Sequence, residues 1–206
     1  MTDVNLDPPT LASDSEGSAF ATDKAELEEW IRETPREATV KGMYLETLLS
    51  MLKRHGAPLP TDKRYFSFKD YPLHELMRLM LDAVDELYPD VSPREGLIAL
   101  GRLAFPTFTR TTIGKVIFSV AGNSWERALN LVSRAYEVSL KPGRASVAEL
   151  TETSARIELR ELWNFGSSYQ VGVFEGAMAH FDVRGTVRCV RLGRRCDVDL
   201  LLHWEA

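Results

Sequence analysis

Apolar residues recur at helical spacing along most of the chain and change to strict alternation near residue 145. Across residues 40–56, Leu45, Leu48, Leu49 and Leu52 form one stripe. Basic residues crowd its last turn, and Gly56 offers a left-handed stop. Residues 71–90 repeat the pattern through Leu73, Leu76, Met77, Met80, Val84 and Leu87, with Pro72 placed for a first turn. Ser92-Pro93-Arg94-Glu95 has the form of a capping box, and Pro106 is expected to kink or end the helix that follows. Residues 111–123 predict a further helix closed by Gly122-Asn123. Residues 123–139 predict another, capped at Asn123 or Ser124, with Ala128, Leu131, Val132 and Ala135 inward. Between the first two long helices, residues 65–68 (YFSF) alternate and predict an extended segment.

After the Lys141-Pro142-Gly143 turn, residues 147–152 and 155–162 alternate as strands do. Residues 167–181 return to helical spacing through Tyr169, Val173, Phe174 and Met178, and residues 185–204 predict a β-hairpin. The order implies an α+β fold: a helical N-terminal part packed on a small antiparallel sheet of about four strands, with a late helix between strand pairs. Residues 1–21 are rich in Asp, Ser, Pro and Gly and read as a disordered acidic tail. Residues 22–37 read as a short helix and linker, with Asp23 and Glu26 as its cap and Leu27, Trp30 and Ile31 on one face. That helix either docks on the domain or binds a partner. Residues 38–206 read as a single ligand-binding-like domain.

Hydrophobic residues make up 44% of the 206-residue chain and charged residues 27%, a globular balance with enough length for a real core. The net charge of −5 disfavours nonspecific binding to nucleic acid. No apolar run reaches the roughly 18–20 residues of a membrane span, and the acidic N-terminus has no signal-peptide pattern, so a cytoplasmic location is expected.

Several segments together resemble a family of uncharacterised bacterial proteins expanded in myxobacteria. They are VKGMYLETLLSML, YFSFKDYP leading into LHELMRLM, GLIALGRLAF, TTIGKVIFSVAG, ALNLVSRAY, and the C-terminal YQVGVFEGAM and HFDVRGTVRCVRLGRRCDVDLLLHW. The resemblance spans about residues 38–205 and rests on apolar patterns, not catalytic signatures. The helices-then-sheet plan is also similar to a wider superfamily of haem-nitric-oxide-binding domains, vinyl-reductase-type ligand-binding domains and vesicle-tethering subunits. That likeness implies a pocket between helices and sheet for an apolar molecule, a lipid chain or haem, and a fold by itself fixes no function.

Haem-nitric-oxide-binding domains use a proximal His on a helix and a Tyr-x-Ser-x-Arg motif for the propionates. Tyr65-Phe66-Ser67-Phe68-Lys69 nearly matches, but it precedes any suitable helix and has Lys, which lacks the guanidinium fork. His74 sits beside a buried stripe, not within it. Haem is therefore the lesser alternative and no cofactor is expected. His55, His74, His180 and His203 show no metal spacing. Nucleophile elbows, phosphate loops and dinucleotide fingerprints are absent, so no enzyme activity and no catalytic residue is expected. The Gly- and Ser-rich start of residues 166–176 can hold an anion, or can serve as a cap with small residues for close helix–sheet packing. Glu175 is either a polar anchor in a pocket or a surface group. Arg184, Arg188, Arg191, Arg194 and Arg195 either pair with Asp197 and Asp199 or meet an acidic partner.

The expected ligand pocket gathers Trp163, Phe165, Tyr169, Phe174, Met178, Cys189 and Trp204. The leading expectation is a non-enzymatic sensory or regulatory module binding a small apolar or lipid-like molecule. The alternative is a protein-interaction or dimerisation module with no ligand. The two cysteines, Cys189 and Cys196, fall on one face of the hairpin. A type II′ turn at Gly193-Arg194 sets Cys189 opposite Val198 and Cys196 opposite Arg191. A turn at Leu192-Gly193 would set them face to face. The first is preferred because Leu192 resists positive φ, and it leaves two small buried thiols and no disulfide.

Overall fold

The computed structural model describes residues 24–205, so the expected acidic tail and the Asp23 cap lie outside the described residues. Helix α1 (Lys24–Glu33) buries Leu27, Trp30 and Ile31 in the core. Strand β1 (Thr39–Lys41) leads directly into helix α2 (Gly42–Arg54). The YFSF segment is not a strand. Tyr65 is buried, Phe66 and Phe68 are exposed, and the chain turns at residues 67–68 over the start of α2. The carbonyls of Lys69 and Ser67 accept the first α2 N–H groups, those of Gly42 (2.9 Å) and Met43 (3.1 Å). Such donors have no partner inside a helix. Gly42 is required for this approach, since a Cβ there would stand 2.2 Å from the Phe66 carbonyl oxygen.

Strand β2 (Asp70–Pro72) takes up the expected helical Pro72, and helix α3 (Leu73–Leu87) starts after it. Helix α4 (Pro93–Phe108) opens on the predicted capping box. The Glu95 N–H donates to Ser92 Oγ (3.3 Å), and the Ser92 N–H donates to Glu95 Oε2 (3.1 Å). Pro106 does not end it, and the helix runs on to Phe108. Helix α5 (Thr112–Phe118) is shorter than expected and gives way to turns before Gly122. The next predicted helix is split at Leu131 into α6 (Trp125–Asn130), capped by Ser124, and α7 (Val132–Glu137).

Strand β3 (Leu140–Lys141) joins β1 and β2 in a three-stranded sheet of order β2-β1-β3. The second sheet holds β4 (Arg144–Leu150), β5 (Ser154–Arg160), β6 (Gly185–Leu192) and β7 (Arg194–Trp204) in the antiparallel order β4-β5-β7-β6. Helix α8 (Tyr169–His180) is inserted between β5 and β6. The inner face of β7 is Cys196, Val198, Leu200 and Leu202, each nearly or fully buried, as its alternation predicts. On the outer face Asp199 lies between Arg156 (3.3 Å) and Arg160 (2.7 Å) of β5.

The hairpin register differs from both expected alternatives. Cys189 faces Leu200, Arg188 faces Leu201, and residues 195–197 bulge out of the β6 ladder. The bulge is held elsewhere. Arg195 reaches Glu29 of α1 (3.1 Å) and the Glu26 carbonyl (3.3 Å), Asp197 Oδ1 accepts the Glu161 N–H (2.7 Å), and the Cys196 carbonyl accepts the Leu162 N–H (2.8 Å). Gly193 takes the positive φ of +85°.

Both cysteines are free, Cys196 buried and Cys189 half-buried. Desolvation pushes the Cys189 thiol up to about 12 and the Cys196 thiol up to about 11. Because the protonated form is the one the fold favours, these groups stabilise fully below pH 9.0, their ordinary value. That contribution is lost as pH climbs through 11–12. Labelling with a disulfide reagent at pH 8 should be slow for both in native protein and fast after unfolding. Native labelling at the unfolded rate would contradict the burial.

Candidate functional site

Helices α4 and α8 approach more closely than side chains allow. A Cβ on Gly172 would lie 2.0 Å from the Ile98 carbonyl oxygen, and one on Gly101 would lie 2.2 Å from that of Tyr169. Within residues 166–176, Gly172 and Gly176 serve helix–helix packing against α4, while Gly166 sits against the sheet, where a Cβ would lie 3.2 Å from Val198 Cγ2 of β7. Gly176 fits against the Arg102 carbonyl, which Pro106 leaves without its intrahelical donor. Glu175 is neither buried in a pocket nor free in solvent. It accepts from Arg102 Nε at 2.7 Å across the same seam.

Beside this seam lies a cavity of about 90 Å³. Leu48 and Met51 of α2 and Met80 of α3 close one side, and Ala104, Phe105 and Phe108 of α4 close another. Trp125 and Ala128 of α6 face Ala135 and Tyr136 of α7, while Tyr169, Phe174 and Ala177 of α8 complete the wall. The four-stranded sheet contributes no residue to this wall. The cavity is therefore walled mainly by helices, with Leu140 of β3 and Asn164 before α8 at its edge, whereas the expected position was between the helices and the four-stranded sheet. The inner sheet face is already covered: Ile157, Leu159, Val198, Leu200 and Leu202 are fully buried.

Of the expected pocket residues, Tyr169 and Phe174 line the cavity. Phe165 stands edge-on to Trp30 at 5.6 Å. Trp204 stands edge-on to Trp125 at 6.0 Å, one ring behind the wall. Met178 Cε lies against Gly185, Cys189 is on β6, and Trp163 is half-buried against the core. Tyr44, Phe105, Trp125, Tyr136, Asn164 and Gln170 were not singled out by sequence, yet all line the cavity. Tyr44 had a signal, since it shares a helical face with Leu48 and Met51 at i, i+4 and i+7.

The polar groups of the wall are mostly satisfied within it. The Tyr44 hydroxyl donates to Ser139 Oγ at 2.7 Å, and the Tyr136 hydroxyl donates to Gln170 Oε1. Burial pushes Tyr44 up to about 12 and raises Tyr136 and Tyr169 well above the ordinary phenol value, so all three stay protonated at neutral pH. Among the described residues no charged side chain and no histidine lines the cavity. Two lining residues carry buried polar atoms with no hydrogen-bond partner among the described residues, Trp125 Nε1 and Asn164 Oδ1. Among the described residues no group of three His, Cys, Asp or Glu side chains could hold a metal ion. No described helix is long and apolar enough to cross a membrane.

The fold is that of H-NOX proteins. An Fe(II) unliganded H-NOX protein from K. algicida is 14% identical, with 81% of this chain and 97% of that one covered and a TM-score of 0.55. An H-NOX protein from S. oneidensis in the Fe(II)NO state is 17% identical, with 81% and 99% covered and a TM-score of 0.55. A Cs H-NOX mutant is 15% identical, with 81% and 97% covered and a TM-score of 0.60.

The residues present do not fit haem. Among the described residues the wall offers neither an imidazole nor a thiol, two of the usual protein ligands of haem iron. The cavity is also well short of the roughly 300 Å³ or more of ordinary cofactor pockets. The Tyr65-x-Ser67-x-Lys69 segment is engaged elsewhere. Tyr65 donates to Glu75 (2.7 Å), Ser67 donates to Glu46, and the Lys69 carbonyl caps α2. None of the three lines the cavity.

No curated protein matches the chain by sequence. The sequence profile described as "Protein of unknown function (DUF2378)" matches residues 34–205, which is most of the chain, and the protein belongs to that family.

Proposed function

We propose that the protein is a non-enzymatic sensory or regulatory module that binds a small apolar molecule in the helical cavity. The carrying observation is the void itself. Protein interiors are close-packed, so an apolar space of about 90 Å³ leaves its lining side chains short of contacts. A bound molecule recovers those contacts. The wall chemistry supports binding over catalysis, because its phenols are locked in the protonated form and it has no acid, base or cation. The walls also differ in firmness. The α4–α8 seam is locked backbone to backbone, while α6 and α7 are six-residue helices whose packing an occupant can change. That difference supplies a route from occupancy to signal. Of the two features that pointed to partner docking, α1 is packed into the core by its apolar face, and Arg195 of the hairpin contacts α1 at Glu29.

Native mass spectrometry of the purified protein should show a co-purifying or titratable small apolar molecule, and binding should raise Tm. Ala128→Leu extends a side chain from the α6 wall and should abolish that rise without lowering the ligand-free Tm. Equal ligand-dependent shifts in both proteins would remove the cavity as the site.

A further inference from the structure

The geometry points to the chemical class of that molecule: a small neutral alcohol with an apolar body, not a hydrocarbon and not an ion. This rests on the cavity being a binding site. Two wall residues that are more than nine-tenths buried carry a polar atom with no partner: the indole N–H of Trp125 (7% exposed) and the amide oxygen of Asn164 (4% exposed). The first can only donate and the second can only accept. Buried polar groups are almost always paired, so two orphans in one cavity wall mark places where a ligand atom belongs. Of the other hydrogen-bonding side chains of the wall, Tyr44 is engaged with Ser139, Tyr136 with Gln170 and Thr47 with the Met43 carbonyl, while the Tyr169 hydroxyl is left able to donate or accept beside the two orphans.

A hydroxyl is the smallest neutral group that both accepts from an N–H and donates to a carbonyl oxygen. The remainder of the wall is aliphatic and aromatic, which calls for a hydrocarbon body. No described lining residue is charged, so a carboxylate or ammonium would enter without a counter-ion. The cavity is smaller than the roughly 150 Å³ engineered cavity that accepts benzene, which limits the body to a few carbons.

The test compares 1-butanol, pentane and butylammonium, which have equal numbers of heavy atoms, by titration into 15N-labelled protein. 1-Butanol should bind about tenfold more tightly than pentane, as one net hydrogen bond allows. It should move the Trp125 indole resonance, and butylammonium should not bind. In Trp125→Phe the preference for 1-butanol over pentane should fall to within about twofold while pentane affinity stays. Asn164→Leu, of similar shape, should do the same and serves if the first variant fails to fold. Pentane binding as well as 1-butanol would overturn the alcohol assignment and leave the cavity as an apolar site. Failure of all three to bind would overturn both. Binding of 1-butanol with an unchanged preference in both variants would place its hydroxyl elsewhere and also overturn the assignment.

Discussion

Replacing Gly172 by alanine should lower stability by about 3 kcal/mol, a fall in Tm of roughly 6–12 °C for a chain of this size. The added Cβ would stand 2.0 Å from the Ile98 carbonyl oxygen, 2.8 Å from its carbon and 3.0 Å from the Arg102 nitrogen. All three are backbone atoms of α4 and cannot rotate away, so one helix must move. Gly96→Ala is the contrasting case. Its nearest atom, 2.3 Å away, is a methyl of Val84, a side chain that can turn, and its loss should be about 1 kcal/mol. Moving α8 outward carries Tyr169, Phe174 and Ala177 with it, so ligand-dependent stabilisation should vanish in Gly172→Ala along with the Tm. Thermal denaturation of both variants checks this. Equal losses would mean that the seam opens easily and the close approach is not what holds α8.

The elements that alternate or repeat over many residues were legible because burial of one face imposes a period. The stripe of α3 and the inner face of β7 are read directly from sequence. Where partners from distant parts of the chain decide, the period fails. Residues 39–41 and 70–72 are too short to show one, and they are strands because they pair with each other, residues 39–41 pairing also with Leu140–Lys141. The hairpin register depends on Glu161, Leu162 and α1, which take the donors and acceptors of residues 195–197. No turn rule applied to residues 192–195 alone contains that information. α8 is buried on several sides at once, so its role as the central helix shows in its glycines more than in any stripe.

The site was legible only where aromatics cluster in sequence. Tyr169 and Phe174 come from such a cluster. Trp163, Phe165 and Trp204 belong to the same cluster but point their packing at Trp30, Trp125 and the core. A filled core and a cavity wall use identical residue types, and only the three-dimensional arrangement of α2, α4, α6, α7 and α8 separates them. The near-match to a haem motif shows the same limit. Tyr65 and Ser67 have the right types and spacing, with Lys69 in place of Arg, but the polar groups of the segment cap α2 and bind Glu75 and Glu46.

Trp30→Ala should cost about 4 kcal/mol and release α1 from the domain. The indole is 1% exposed and meets Phe165 edge-on, with centroids 5.6 Å apart and planes at 77°. Its N–H has no partner among the described residues, so packing is its main contribution, and Trp30→Phe should retain most of it. Three polar contacts from Arg195 also tie the helix down: to the Glu26 carbonyl (3.3 Å), Glu29 (3.1 Å) and Glu33 (3.6 Å). Both glutamates are about half exposed, and ion pairs in such positions contribute under about 1 kcal/mol. Arg195→Ala should therefore leave α1 docked. Hydrogen exchange resolves the two contributions residue by residue. Amides of residues 27–33 should lose protection in Trp30→Ala and keep it in Arg195→Ala, at low and at high salt. If Arg195→Ala proves the more damaging change, or if high salt alone releases α1, then charge and not the buried face holds this helix. Its amphipathic stripe would then be left available to another surface.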